Sequence, residues 1–237
     1  TRASTASRTE RGSESASTSH PVQRPSGSRG RPDSTSDFSV SSAPEPGSPA
    51  MDRGSEIGKL AEEYLLGNIA TLPKELSRFP KEFQELRELG AIPEQQWAVR
   101  RDWTETEWFA EDVYIRFKVD AYAIPRRRVL RIIDFKTGKL KDMAENQLQL
   151  DLYGVGALSL FDIDLGFAEL WYLDQGVLVG GEGDEIGTYR MEDLSKLQKT
   201  WDDRLAPMFS DRTFVPTPNY LCRYCTFSRS KGGECKF

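Results

Sequence analysis

The residues able to do chemistry together lie within 119–153 of this 237-residue chain. Two apolar, β-branched runs, one reaching Val119-Asp120 and the other Ile132-Ile133-Asp134-Phe135-Lys136, each end in or near an aspartate. The second run sets a lysine two residues beyond its aspartate. Side chains alternate faces along a strand, so Asp134 and Lys136 share a face and Phe135 takes the other. If the two runs pair, Asp120 stands beside Asp134. Carboxylate oxygens are the ligands that Mg²⁺ and Mn²⁺ prefer. A lysine next to such a cation orients a water or steadies the charge growing on a phosphate. The chemistry implied is metal-assisted hydrolysis of a phosphodiester.

The elements that must hold these residues follow from periodicity. The spacing predicts a strand over 108–125 carrying Asp120 and a strand over 129–135 ending at Asp134, with Arg126-Arg127-Arg128 at the hairpin turn between them. A helix is predicted from about 144 to 160. Gln149 and Tyr153 are four residues apart on it and share a face that looks back at the strand end. From that face an amide and a phenol can bond a phosphate or hold the lysine. Lys139 and Lys141 lie in the intervening loop. With the three arginines, placed next to the active edge, they are candidate contacts to backbone phosphates that read no bases.

Upstream, Ile57, Leu60, Ala61, Tyr64 and Leu65 have helical spacing within 52–68. Leu76, Phe79, Phe83, Leu86 and Leu89 mark a second amphipathic helix over 73–89. Strands are expected over 95–103, 166–172, 177–179 and 186–189, with a last helix over 191–209. The Gly180-Gly181-Glu182-Gly183 loop lacks P-loop spacing and any following Lys-Ser/Thr, which excludes nucleotide binding of that kind. Residues 1–50 are rich in Ser, Thr, Pro, Gly and Arg and are expected to be disordered. Met51 is a plausible start. The remainder reads as one domain over 51–215 with a cysteine-bearing segment over 216–237. A net charge of −5 argues against a broadly basic nucleic-acid coat, and no apolar run is long enough to span a bilayer. A soluble, cytoplasmic protein is the expectation.

Asp120, Asp134-Phe135-Lys136 and Gln149-x-x-x-Tyr153, in that order and at those separations, resemble the PD-(D/E)XK nuclease superfamily. Within it they are most similar to the RecB-type branch, which includes CRISPR-associated RecB-like and phage or bacterial exonucleases. The resemblance runs from about residue 51 to the C-terminus and implies an α/β (α+β) restriction-endonuclease-like core: a central mixed sheet flanked by helices. It also implies a metal-dependent DNA exonuclease acting on ends or single strands, in a bacterial or phage-encoded protein. Asp120, Asp134 and the Phe135 carbonyl would hold Mg²⁺ or Mn²⁺, with Lys136, Gln149 and Tyr153 completing the catalytic set. The first helix departs from the pattern, because Gly58 stands where the family has a metal-binding histidine and Glu62 follows one turn later. That departure supports the alternative of an impaired member that binds DNA or a partner without cutting.

All three cysteines fall in the last stretch, as Cys222-x-x-Cys225 and Cys235. An odd number in a Pro-, Gly- and aromatic-rich loop fits metal ligation better than a disulfide framework. The resembling exonucleases hold a [4Fe–4S] cluster with three C-terminal cysteines and a distant N-terminal one. Residues 1–221 contain no cysteine. The sequence leaves open a cluster with a non-cysteine fourth ligand, a zinc site completed by His20 or water, or no metal at all.

Overall fold

The structure, a computed structural model, describes residues 48–236 apart from positions 185 and 214. His20 and nearly all of the 1–50 segment therefore lie outside the described residues. The first helix, α1 (Pro49–Leu65), begins three residues earlier than its hydrophobic pattern indicates. The Ser48 hydroxyl accepts the Met51 N–H and Pro49 occupies the first turn, both strong start signals that the apolar spacing alone does not carry. The second expected helix is split. Lys74–Leu76 forms a single 3₁₀ turn, and α2 (Pro80–Glu88) starts afresh at Pro80, which cannot continue a preceding helix.

Six strands form one sheet: β1 (Ile92–Val99), β2 (Ile115–Arg126), β3 (Val129–Lys136), β4 (Leu165–Tyr172), β5 (Val177–Gly180) and β6 (Thr188–Arg190). The first five lie in sequence order, and β6 pairs with β4, not with β5. Only β3 and β4 run parallel. Such a pair needs a long crossover, and α3 (Met143–Leu160) supplies it. A 3₁₀ turn and α4 (Leu194–Ser210) follow the sheet. The result is the mixed α+β, restriction-endonuclease-like core expected from the sequence. Among the described residues no helix is long and apolar enough to cross a membrane.

The sheet separates two cores. Ile57, Ala61, Tyr64 and Leu65 of α1 and Phe83 and Leu86 of α2 pack with Ile133, Phe135 and Trp171 on one face. Leu150 and Tyr153 of α3 and Trp201 of α4 pack with Ile132, Ala168 and Leu170 on the other. Phe135 thus points away from the α3 face, as alternation along β3 requires. Two glycines let α3 lie close to the sheet: a Cβ on Gly154 would stand 2.3 Å from the Tyr189 ring, and one on Gly156 2.9 Å from Phe117.

The strands break alternation at one level. In β2, Phe117 and Val119 face the α3 core, whereas Ala121 and Ala123 face the α1–α2 core. Residues two apart should share a face, so the switch falls at Asp120. The pairs Pro93↔Ala121 and Gln95↔Val119 bracket Glu94 opposite Asp120, and Glu94 has φ of 49°. Both strands therefore turn over at the same place.

Candidate active site

After a register shift between Arg126 and Ala123, the β2–β3 ladder keeps one register from Ala123↔Arg131 to Ala121↔Ile133, and one further step would oppose Asp120 to Asp134. The pairing stops there, and the Asp120 side chain takes over: its Oδ2 accepts the Phe135 N–H at 2.6 Å. Asp134 is 6% exposed and gathers the rest of the group. Tyr153 Oη donates to its Oδ1 at 2.6 Å, and Gln149 Nε2 reaches the same oxygen at 3.0 Å and Tyr153 Oη at 2.9 Å. Lys136 Nζ lies 2.6 Å from Oδ2. The five side chains expected to act together are therefore within reach of one another, on β2, β3 and one face of α3.

The electrostatics are those of a crowded, half-dry acid pair. Burial, reinforced by the charge of Asp134, pushes Asp120 up to about 7 against the stabilising Phe135 N–H. Burial and the Asp134 carboxylate also raise Tyr153, so its phenol keeps its proton and acts as a donor. Asp134 Oδ2 is buried without a hydrogen-bond partner among the described residues. The Lys136 ammonium, 2.6 Å away, pairs with it by charge.

These features fit a divalent cation. A buried carboxylate oxygen paired by charge but without a hydrogen bond, a second carboxylate whose ionisation is opposed by burial and by the first, and an adjacent peptide make an oxygen-donor set suited to Mg²⁺ or Mn²⁺. Among the described residues no group of three or more His, Cys, Asp or Glu side chains could hold one ion. Two carboxylates still suffice for Mg²⁺, which usually keeps several waters and takes one or two carboxylates from the protein.

A cleft of about 550 Å³ opens beside Asp120 and Phe135, floored by β1–β3 and walled by α1. Gly58, Glu62, Glu94 and Lys118 line it. A Cβ at Gly58 would meet nothing within 4 Å, so this glycine does not serve close helix packing; it leaves an open slot in the cleft wall. Arg53 of α1, next to Gly54 of the cleft wall, holds Asp174 after β4 through bonds of 2.8 and 2.5 Å. The loop leaving Lys136 is also tied down: Tyr172 Oη accepts the Lys141 N–H at 3.3 Å and donates to Asn146 Oδ1 at 2.7 Å.

Glu94 and Lys118 were not singled out by the sequence. Their ammonium and carboxylate meet at 2.8 Å. Lys118 is legible in retrospect as two residues before Asp120 on a strand, but Glu94 depends on the β1–β2 register and a left-handed backbone. A non-glycine residue there costs on the order of 1–3 kcal/mol, whereas a solvent-exposed ion pair returns roughly 0–1 kcal/mol.

Two sets of expected site residues are placed elsewhere. Arg126-Arg127-Arg128 sits at the opposite end of the β2–β3 hairpin, six residues from Asp120 and from Asp134, which is about 20 Å along a strand. There Arg126 pairs with Glu182 at 2.7 Å, and Arg128 pairs with Asp162 at 2.5 Å and with Asp164 at 2.7 Å. Lys139 and Lys141 do follow β3 directly, and Lys141 reaches Glu145 at 3.1 Å. The thiols of Cys222, Cys225 and Cys235 are free. Cys222 Sγ accepts the Asn219 N–H at 3.3 Å, and the three do not form a ligand group. Among the described residues no fourth donor joins the three thiols, so neither a [4Fe–4S] nor a zinc ligand set is assembled there.

A search of curated proteins found no significant match. A solved structure described as the crystal structure of SSO0001 is 18% identical, covers 78% of this chain and 79% of its own, and superposes with a TM-score of 0.35. A sequence profile of the PD-(D/E)XK nuclease superfamily matches residues 59–230, a span containing Asp120, the Asp134-Phe135-Lys136 strand end, Gln149 and Tyr153. With that match over most of its length, the chain belongs to the PD-(D/E)XK nuclease superfamily.

Proposed function

We propose that the protein is a divalent-metal-dependent deoxyribonuclease, an exonuclease of the RecB-like type acting on DNA ends or single strands. The observation that carries this reading is the convergence on Asp134: Tyr153 and Gln149 on Oδ1, and Lys136 beside an Oδ2 that has no hydrogen bond. Asp120, Asp134 and the Phe135 carbonyl would hold the cation, which when bound supplies a Lewis acid for the phosphoryl oxygen and acidifies a water. The chain's own residues do the rest. Tyr153 and Gln149 fix the rotamer of Asp134 by occupying one of its oxygens. Lys136 places a positive charge where the phosphate gains negative charge. Gly58 contributes no ligand, and activity is correspondingly weakened.

The test is incubation of the purified chain with end-labelled single-stranded DNA and Mn²⁺, beside an Asp134→Ala control. Shortening of the label by the parent and not by the control supports the reading; identical, intact label in both overturns it. That second outcome would favour a binding module of the same fold, a reading motivated by Gly58 and the absence of a three-ligand group among the described residues.

A further inference from the structure

The cleft beside Asp120 holds a second polar pair that the reaction just described does not use. Lys118 Nζ lies 2.8 Å from Glu94 Oε2, and the Lys118 side chain is 56% exposed, so its ammonium is reachable from the cleft. The pair is built into the site from both directions. Glu94 stands opposite Asp120 across the β1–β2 ladder, and the Lys118 carbonyl lies 3.3 Å from Tyr153 Oη. Glycine would carry the left-handed backbone of position 94 without strain, yet a glutamate occupies it at φ of 49°. An exposed ion pair does not offset that strain, so stability does not account for the arrangement. What the side chain does account for is the direction of the Lys118 amine.

We propose that Lys118 contacts a backbone phosphate of the DNA strand lying in this cleft, and that Glu94 is the positioning residue that aims its ammonium. The inference rests on the nuclease reading and adds to it the point where the strand beside the scissile bond is gripped. A lysine suits this role as a point charge that reads no base. Glu94 keeps the amine on the β1 side of Asp120, away from the Asp134–Lys136 pair, so the two lysines serve different phosphates.

Fluorescence anisotropy with 5′-labelled oligothymidylate in EDTA, where no cleavage occurs, tests it across a salt series. Losing one phosphate contact lowers the slope of log affinity against log salt by about 0.7 for a single strand. Lys118→Met shows that loss and Lys118→Arg restores it. Lys199→Met, on α4 and paired with Asp203, leaves the slope unchanged. Glu94→Gln separates positioning from bystander charge by sign. A bystander carboxylate repels the strand, so neutralising it would tighten binding; neutralising a positioning carboxylate weakens binding severalfold with the slope retained. Thermal melting confirms that each variant is folded. An unchanged slope in Lys118→Met, or tighter binding by Glu94→Gln, overturns the proposal while the parent's DNA binding stands. Failure of the parent to bind DNA at all overturns this pair and the nuclease reading together.

Discussion

Asp120 and Phe135 are joined across the end of the β2–β3 ladder by a 2.6 Å bond from the Phe135 N–H to the aspartate side chain. The bond stands where the next backbone pairing would have been, and it ties the first carboxylate to the peptide between Asp134 and Lys136. Because that N–H faces the Asp120 carboxylate, the two aspartates are kept close despite their mutual repulsion.

That repulsion gives a pH dependence. Asp120 ionises near 3.8 when unfolded and is pushed up to about 7 when folded, by burial first and by Asp134 second. The folded chain therefore binds more protons than the unfolded one between those values, and Asp120's contribution to stability falls as pH rises through that window. In EDTA, urea midpoints measured from about pH 4.5 to 7.5 are expected to fall more steeply for the parent than for Asp120→Asn. Parallel curves would contradict the shift.

Tyr153→Phe removes the 2.6 Å donor from Asp134 Oδ1 and leaves Gln149 as that oxygen's side-chain partner. A hydrogen bond to a charged group is worth about 1.5–3 kcal/mol, so urea unfolding should show a loss of that order. Cleavage should slow by roughly tenfold or more, because a loosened Asp134 is a misplaced one.

Two helical glycines should respond with opposite signs. Gly58→His enters open space, gains ~0.4 kcal/mol of helix propensity, and lowers the Mn²⁺ concentration needed for half-maximal cleavage. Gly154→Ala meets the Tyr189 ring at 2.3 Å and should cost about 1–3 kcal/mol. Thermal melting and a metal titration read both.

Away from the site, Arg131 holds the buried Glu169 through bonds of 2.7 and 3.0 Å, and the Trp171 indole N–H donates to the same carboxylate at 2.7 Å. Arg131→Met strands that charge and should destabilise by about 3–5 kcal/mol. Arg131→Met combined with Glu169→Leu should recover most of it. Urea denaturation of the single and double variants decides the matter.

Much of the site was readable because its residues sit in regular elements. Asp134 and Lys136 share a face by strand alternation, and Gln149 and Tyr153 share one by helical spacing; both relations are local. Placing the three arginines required counting from a shared turn. In an antiparallel hairpin the turn and the sixth residue on either side are at opposite ends, so proximity in sequence misled. Glu94 was hidden because its direction depends on a positive φ that breaks alternation. The cysteines carry the spacing of a metal site, and among the described residues no further donor joins them. The early start of α1 lay in Ser48-Pro49, a cap that hydrophobic periodicity does not register.

In the mechanism proposed above, Asp120 and Asp134 share one divalent cation. Calorimetric titration of Mn²⁺ into the parent, Asp120→Asn and Asp134→Asn tests it directly, without DNA. The parent is expected to bind one ion and each single variant to lose affinity clearly, with no further loss in the double variant. Unchanged Mn²⁺ affinity in both single variants would contradict it.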